Sequence, residues 1–359
     1  MNIKERLAGL VTHIAQPVPF LPITPVEGPD EPLMAEINRH YFRIWLSEVS
    51  LSYDRKWFQN YYPTVSSLVR CSFAGKTVEI PAMAGEFKLA EVNAAELTQA
   101  VRLNYPLTSL IPMTGDTVEI LAVLLAMDGE NSLTRFINVM SDFSRLLTVP
   151  QLSGAMQVAE KLAGGINEVL SIGSKKALLG LHQTFTDREG ANPLTSGYLL
   201  VPLTSESSIK GERLLVVGGR LRTGVDLAHS EAVTAYPYML LRIEVRAKRE
   251  DWASFQNIWT PLQEAIKALR KGERGREDAE AYVRTAISEA LLAPDFVLYD
   301  RNSIARKVQS FYEEAKKDLG QGAISFVLAS LDDVMSLVVP ETEIPRDRLL
   351  TFREMFPRS

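Results

Sequence analysis

Cysteine is almost absent. Cys71 stands alone among 359 residues, so no disulfide can close within the chain and a reducing compartment is expected. Histidine is nearly as scarce. His13, His40, His182 and His229 are the whole supply; none lies at ligand spacing from another, and no Cys or carboxylate cluster completes a metal pattern. Positive charge is not in surplus either. With 39 Lys and Arg against 44 Asp and Glu the formal net charge is −5, a poor match to nucleic acid. No run reaches the roughly 18 uncharged apolar residues of a membrane-spanning helix. The nearest, 319–331, stops at Asp332-Asp333, and the first residues, with Lys4, Glu5 and Arg6, do not read as a signal peptide. The expectation is a soluble cytoplasmic protein with no transmembrane segment and no nucleic acid partner.

Catalytic signatures are missing as well. There is no Gly-x-Ser-x-Gly elbow, and no glycine pattern has phosphate-loop or dinucleotide spacing. The stretch Gly218-Gly219-Arg220-Leu221-Arg222-Thr223-Gly224 comes nearest to an anion site. It follows a strand but leads into no helix, so a β-turn with solvated arginines is the preferred reading. Cys71 falls mid-strand with no imidazole or helix start beside it to stabilise a thiolate, and reads as structural. His182, inside a strand, reads the same way. Asp116, Asp128, Glu130, Asp187 and Asp226 fall at strand ends, one acid per turn, as turns ordinarily have and as calcium sites do not. No metal, no cofactor and no catalytic residue is assigned.

What is present begins with an echo. Gly75-Lys76-Thr77-Val78-Glu79-Ile80 returns forty residues later as Gly115-Asp116-Thr117-Val118-Glu119-Ile120. Each copy reads as a turn at Gly followed by a strand, with Thr and Glu on a wet face and Val and Ile on a dry one. No third copy occurs, so the pair marks two units of one sheet system rather than a repeat array. Strands are expected from Tyr41 to about Leu51 and over 68–73, 77–80, 117–125, 178–185, 198–203, 213–217 and 238–245.

Helical periodicity appears elsewhere. Ile3, Leu7, Leu10, Val11 and Ile14 share one face of a short helix, joined to the rest by a strap with six prolines between Pro17 and Pro32. A connecting helix is expected at 89–101 and a helical hairpin at about 131–171. After Arg246 a stripe of Trp252, Phe255, Ile258, Trp259, Leu262, Ile266 and Leu269 opens a helical region, with Pro261 a break or kink and 271–276 a charged loop. Tyr282, Val283, Ala286, Ile287 and Leu291 mark a further helix, Ile304, Val308, Phe311, Tyr312 and Ala315 the next, and 323–339 a buried last one.

The expected fold is α+β. An N-terminal amphipathic helix and Pro-rich strap (1–35) precede an antiparallel, sandwich-like β domain (36–248) with the helical insertion at about 131–171. A C-terminal helical domain (249–340) and a tail (341–359) follow. The expected function is a non-enzymatic intracellular scaffold, adaptor or regulatory subunit working through protein–protein contacts. The docking residues are Ile3, Leu7, Leu10, Val11 and Ile14, since so short a helix must bury its face on its own chain, on a second copy or on a partner. Membrane-surface contact is disfavoured because Glu5 mixes with Lys4 and Arg6 on the polar face and no Trp or Phe supports the other. Two alternatives stand: an enzyme or small-ligand receptor whose site is assembled from distant loops, with Asp187 or Glu244 converging on it, and a lipid-binding β module.

Overall fold

The computed structural model describes residues 2–14, 16, 18, 20–23, 32–50, 61–85, 101–128, 152, 163–167, 170, 175–187 and 192–320. The chain divides into two compact units, Met1–Ala247 and Lys248–Ser359. The first is built on antiparallel sheets and the second on helices, an α+β fold with a C-terminal helical domain.

In the first unit α1 (Ile3–Thr12) precedes the described strands: β1 (Leu21–Ile23), β2 (Tyr41–Ser50), β3 (Tyr61–Phe73), β4 (Lys76–Gly85), β5 (Val101–Pro106), β6 (Ile111–Pro112), β7 (Thr117–Asp128), β8 (Lys175–Thr186), β9 (Gly197–Pro202), β10 (Leu214–Val217), β11 (Arg220–Gly224), β12 (Ser230–Ala232) and β13 (Tyr238–Arg246). A single helical turn, α2 (Glu206–Lys210), lies between β9 and β10. Sheet I has the order β1-β9-β13-β2-β5, with β6 also pairing β2; sheet II is β4-β3-β7-β8; sheet III is β10-β11-β12.

Alternation along β2 and β13 sends Phe42, Ile44 and Leu46, and Met239, Leu241 and Ile243, into one core shared with sheet II. The other face of sheet I carries Leu200, Tyr238 and Leu240, which pack with Val216, Leu221 and Val233 around sheet III. Strand β7 has no polar side over Ile120-Leu121-Ala122-Val123-Leu124-Leu125, all fully buried. One of its faces joins that core and the other lies under α1, which packs on β8, β7 and β3. Sheet III is fastened by a bulge in β2, whose register to β5 shifts between Leu46 and Glu48. From there the Ser47 hydroxyl donates to Gly219 O at 2.8 Å, while a Glu48 carboxylate oxygen accepts from Leu221 N–H at 2.7 Å and Tyr238 O–H at 2.9 Å.

The two copies of the echo flank β3 in matching register: Arg70 pairs Glu79 of β4 on one side and Glu119 of β7 on the other. Their glycines answer different demands. Gly75 (φ 74°) completes a two-residue left-handed turn with Ala74 (φ 50°). Gly115 makes room, since a Cβ there would lie 2.5 Å from Ser72 Cβ. The glycine pair at 218–219 likewise turns β10 into β11, with φ of 54° and 76°. One of the arginines expected to be solvated there is not: Arg220 is exposed, but Arg222 donates to Ser230 Oγ at 2.8 Å and to Ser230 O, joining β11 to β12.

The strap contributes β1, an edge strand on β9. The connecting helix at 89–101 lies outside the described residues except for Val101, which opens β5. Most of the hairpin at 131–171 lies outside them too, although 163–167 is helical and Ile166 and Leu170 are buried. The last helix at 323–339 and the tail at 341–359 lie wholly outside.

The second unit comprises α3 (Gln256–Leu269), α4 (Arg276–Leu292) and α5 (Leu298–Gly320), with tighter turns at Asp251–Ser254 and Gly272–Gly275. Trp252, Phe255, Ile258, Trp259 and Leu262 are buried as the stripe predicts. Pro261 neither breaks nor ends α3. It forfeits one backbone hydrogen bond, and burial of Ile258 and Leu262 on either side holds the helix together. The charged stretch after α3 is a helical turn rather than an open loop. Gly275 is required there, because a Cβ would meet Ala268 O at 2.0 Å. Helix α4 buries Ala279, Val283, Ala286 and Ala290, leaving Tyr282 and Leu291 outward.

Candidate functional site

Helix α1 starts where the sequence caps it. Asn2 Oδ1 accepts from Glu5 N–H at 2.8 Å, and Glu5 Oε2 accepts from Asn2 N–H at 3.0 Å. Of the five residues expected to dock, Ile3 and Leu7 are buried, and Leu10, Val11 and Ile14 are half-buried against the core of their own chain. Gly180 of β8 makes that seat possible: a Cβ there would lie 2.8 Å from Val11 Cγ2 and 3.3 Å from Ile14 Cδ1. The Gln16 side chain adds a hydrogen bond, accepting from Gly180 N–H at 3.0 Å.

Glu119 is the polar anchor of the same seat. Lys4 Nζ lies 2.8 Å from its Oε2, His182 Nε2 lies 2.9 Å from its Oε1, and Arg70 Nη1 lies at 3.5 Å. The Glu positions of the echo were expected to face water. Glu79 half does, but the Glu119 side chain is only 15 % exposed because α1 brings Lys4 over it. Burial raises the Glu119 carboxyl, but hydrogen bonds from Lys4 and His182 and their charges outweigh it and hold it below the ordinary carboxylate range. The group is therefore an anionic clasp near neutral pH rather than a proton donor.

Burial pushes the Cys71 thiol up to about 12, so it is not a thiolate at neutral pH. His40 is buried and its Nδ1 accepts from Glu36 N–H at 3.0 Å, holding a turn. His229 Nδ1 lies 2.9 Å from Asp226 Oδ1 at the exposed tip between β11 and β12. Asp116 and Asp187 meet through their main chains, Asp187 N–H donating to Asp116 O at 3.1 Å. Among the described residues no group of three or more His, Cys, Asp or Glu side chains is arranged to hold a metal, and no helix is long and apolar enough to cross a membrane.

Glu244, one of the two carboxylates named for a site assembled from distant residues, sits in company. It pairs Arg43 across the β13–β2 ladder, as Arg242 pairs Trp45. Trp45 Nε1–H donates to Glu244 Oε2 at 2.7 Å, and Arg246 Nε contacts Glu244 Oε1. The guanidinium carbons of Arg242 and Arg43 lie 4.6 Å and 5.2 Å from the centre of the Trp45 ring. Burial raises the Glu244 carboxyl, but Arg246, Arg43, the Trp45 N–H and Arg242 together hold it low. The signal was in the sequence as the alternations Arg43-Ile44-Trp45 and Arg242-Ile243-Glu244-Val245-Arg246, which place polar side chains on a single sheet face.

The helical unit shows a different feature at its α4–α5 corner. Asp295, Phe296 and Val297 plug inward. Around them Leu292, Leu298 and Tyr299 are 76 %, 62 % and 70 % exposed, with Leu291 beside them. Leu292, Leu298 and Tyr299 lie off the apolar stripes that the sequence shows for these helices, and that was the available clue. A smaller apolar pair, Val225 and Leu227, is exposed at the β11–β12 tip.

Comparison of the chain with family models, with curated proteins and with solved structures finds no match. The reading of function therefore rests on these surfaces.

Proposed function

We propose that the protein is a non-enzymatic scaffold, adaptor or regulatory subunit that acts through protein–protein contacts in the cytoplasm. The observation that carries this reading is the apolar corner of Leu291, Leu292, Leu298 and Tyr299, four large side chains held outward within nine residues of chain by a buried plug. Clustered exposed apolar side chains of this size favour a partner surface that takes them out of water. The burial of the Cys71 thiol and the pairing of the Glu119 and Glu244 carboxylates support the non-enzymatic half of the reading, and the lone buried Cys71 is in keeping with a reducing compartment.

The test is light scattering on the native protein and on the double variant L292S/Y299S. The native chain is expected in a complex of fixed stoichiometry, with itself or with a co-purifying protein, and the variant is expected to lose it while keeping its helical circular dichroism. A variant that keeps the complex shows that the corner is not the contact. Val225 and Leu227 favour a second reading, the lipid-binding β module, with an apolar tip entering a membrane surface. Liposome flotation with and without calcium decides it, since V225S/L227S must then abolish flotation.

A further inference from the structure

We infer that the Trp45-bearing face of β2 and β13 binds the phosphate group of a small molecule. Cross-strand pairing sets Arg43 beside Glu244 and Trp45 beside Arg242, and Arg246 follows two residues after Glu244 on the same face of β13. Glu244 spends one oxygen on the indole N–H and the other on Arg246 Nε. That leaves Arg242. Its guanidinium rests on Trp45, its Nε is sealed from solvent without a hydrogen-bond partner among the described residues, and no carboxylate among them lies within ion-pair distance of it.

Stacking on an indole accounts for the position of that guanidinium but not for its donors. Arginine carries five N–H groups, and a part-buried donor left unmatched costs free energy that a bound acceptor recovers. Arg246 offers a second fork, because it engages Glu244 through Nε and its side chain is half-exposed. One fork fills a carboxylate with its two oxygens, whereas a tetrahedral phosphate has oxygens left for a second fork. Two forks and one unneutralised charge on one sheet face therefore match phosphate better than carboxylate. Trp45, largely shielded beneath Arg242, cannot stack on a ligand but reports on whatever draws that guanidinium away. This inference is independent of the apolar corner and stands or falls without it.

The experiment is titration of the full-length protein with inorganic phosphate, pyrophosphate and acetate at fixed ionic strength, followed by calorimetry and by tryptophan fluorescence. Phosphate and pyrophosphate are expected to bind saturably with a fluorescence change that W45F lacks, and acetate is expected not to compete. Arg242→Met, which keeps an apolar stem over the indole, should weaken binding by about tenfold or more. Arg242→Lys keeps the charge without the fork and should weaken it too. Glu244→Gln should tighten it, because the nearest negative charge is gone. Absence of saturable phosphate binding overturns the inference, as do native-like affinity in a folded Arg242→Met protein and acetate binding as tight as phosphate.

Discussion

At the scale of single residues, Arg249 concentrates more of the helical unit's polar bonding than any neighbour described with it. Its side chain is 1 % exposed and lies with its guanidinium carbon 4.6 Å from the centre of the Phe255 ring. Nε and Nη2 donate to Asp251 Oδ1 and Oδ2 at 2.7 and 3.2 Å, Nη1 donates to Asp295 O at 3.4 Å, and its main-chain N–H donates to Asp300 Oδ2 at 2.8 Å. One side chain thus ties the entry to α3 to the α4–α5 corner. Arg249→Met keeps the stem but removes the donors to Asp251 and to Asp295 O, and is expected to cost about 3 kcal/mol in urea unfolding followed by helical circular dichroism. Glu119 gives a prediction of the opposite kind, in pH. Its carboxyl is held below the ordinary carboxylate value of 4.5, so its contribution to stability is full above about that pH and is lost as pH falls through the lowered native value. Glu119→Gln should therefore be less stable than the native protein at pH 7, and the gap should close on acidification. A gap that is flat across that range would show that the clasp is not what Glu119 contributes.

At the scale of elements, the seat of α1 depends on a strand residue with no side chain. Gly180→Val must displace Val11 or Ile14, and overpacking of this kind costs about 1–3 kcal/mol. The expected readout is faster tryptic cleavage after Lys4 or Arg6 with the sheets still protected from exchange. The three-and-four-spaced pattern of α1 was legible from Asn2 to Ile14, but its destination was not, because Gly180 lies far along the chain. Long strands showed themselves for a related reason: β2, β7, β8 and β13 each bury enough branched or aromatic residues to set a pattern by themselves. Among the short strands β9 and β10 were legible at 198–203 and 213–217, but β5 and β11 were not. β11 sends only Leu221 into the core, and β5 follows a stretch that reads as helix, so pairing partners rather than local sequence make them strands. Sheet III is the extreme case, held by Glu48 from a bulge that no periodicity announces. Glu48→Ala should abolish exchange protection at Leu221 N–H while leaving the β3–β7 ladder protected.

At the scale of the whole molecule, each unit owns a core. Ile3 and Leu7 belong to the sheet core along with β7 and β8, whereas Trp252, Phe255, Phe296 and Val308 belong to the helical one. Separate cores give separate cooperative transitions wherever their stabilities differ. That boundary showed in the sequence as the change from period two to helical spacing after Arg246, because it is a change in which neighbours the apolar residues seek. Removing residues 1–16 takes Ile3, Leu7, Val11 and the Lys4 clasp from one face of sheet II and bares Leu121 and Val123 of β7, which are otherwise fully buried. Loss of two or three buried aliphatic side chains costs about 3–6 kcal/mol, enough to lower the sheet unit's transition by many degrees. The transition followed by the tryptophans of the helical unit, Trp252 and Trp259, should stay where it was. If instead α1 covers the sheet of a second copy of the chain, the truncated protein will lose the same stability and will also weigh half as much by light scattering. Calorimetry and mass on the same two samples separate these outcomes, because both arrangements change the heat and only an exchanged helix changes the mass as well.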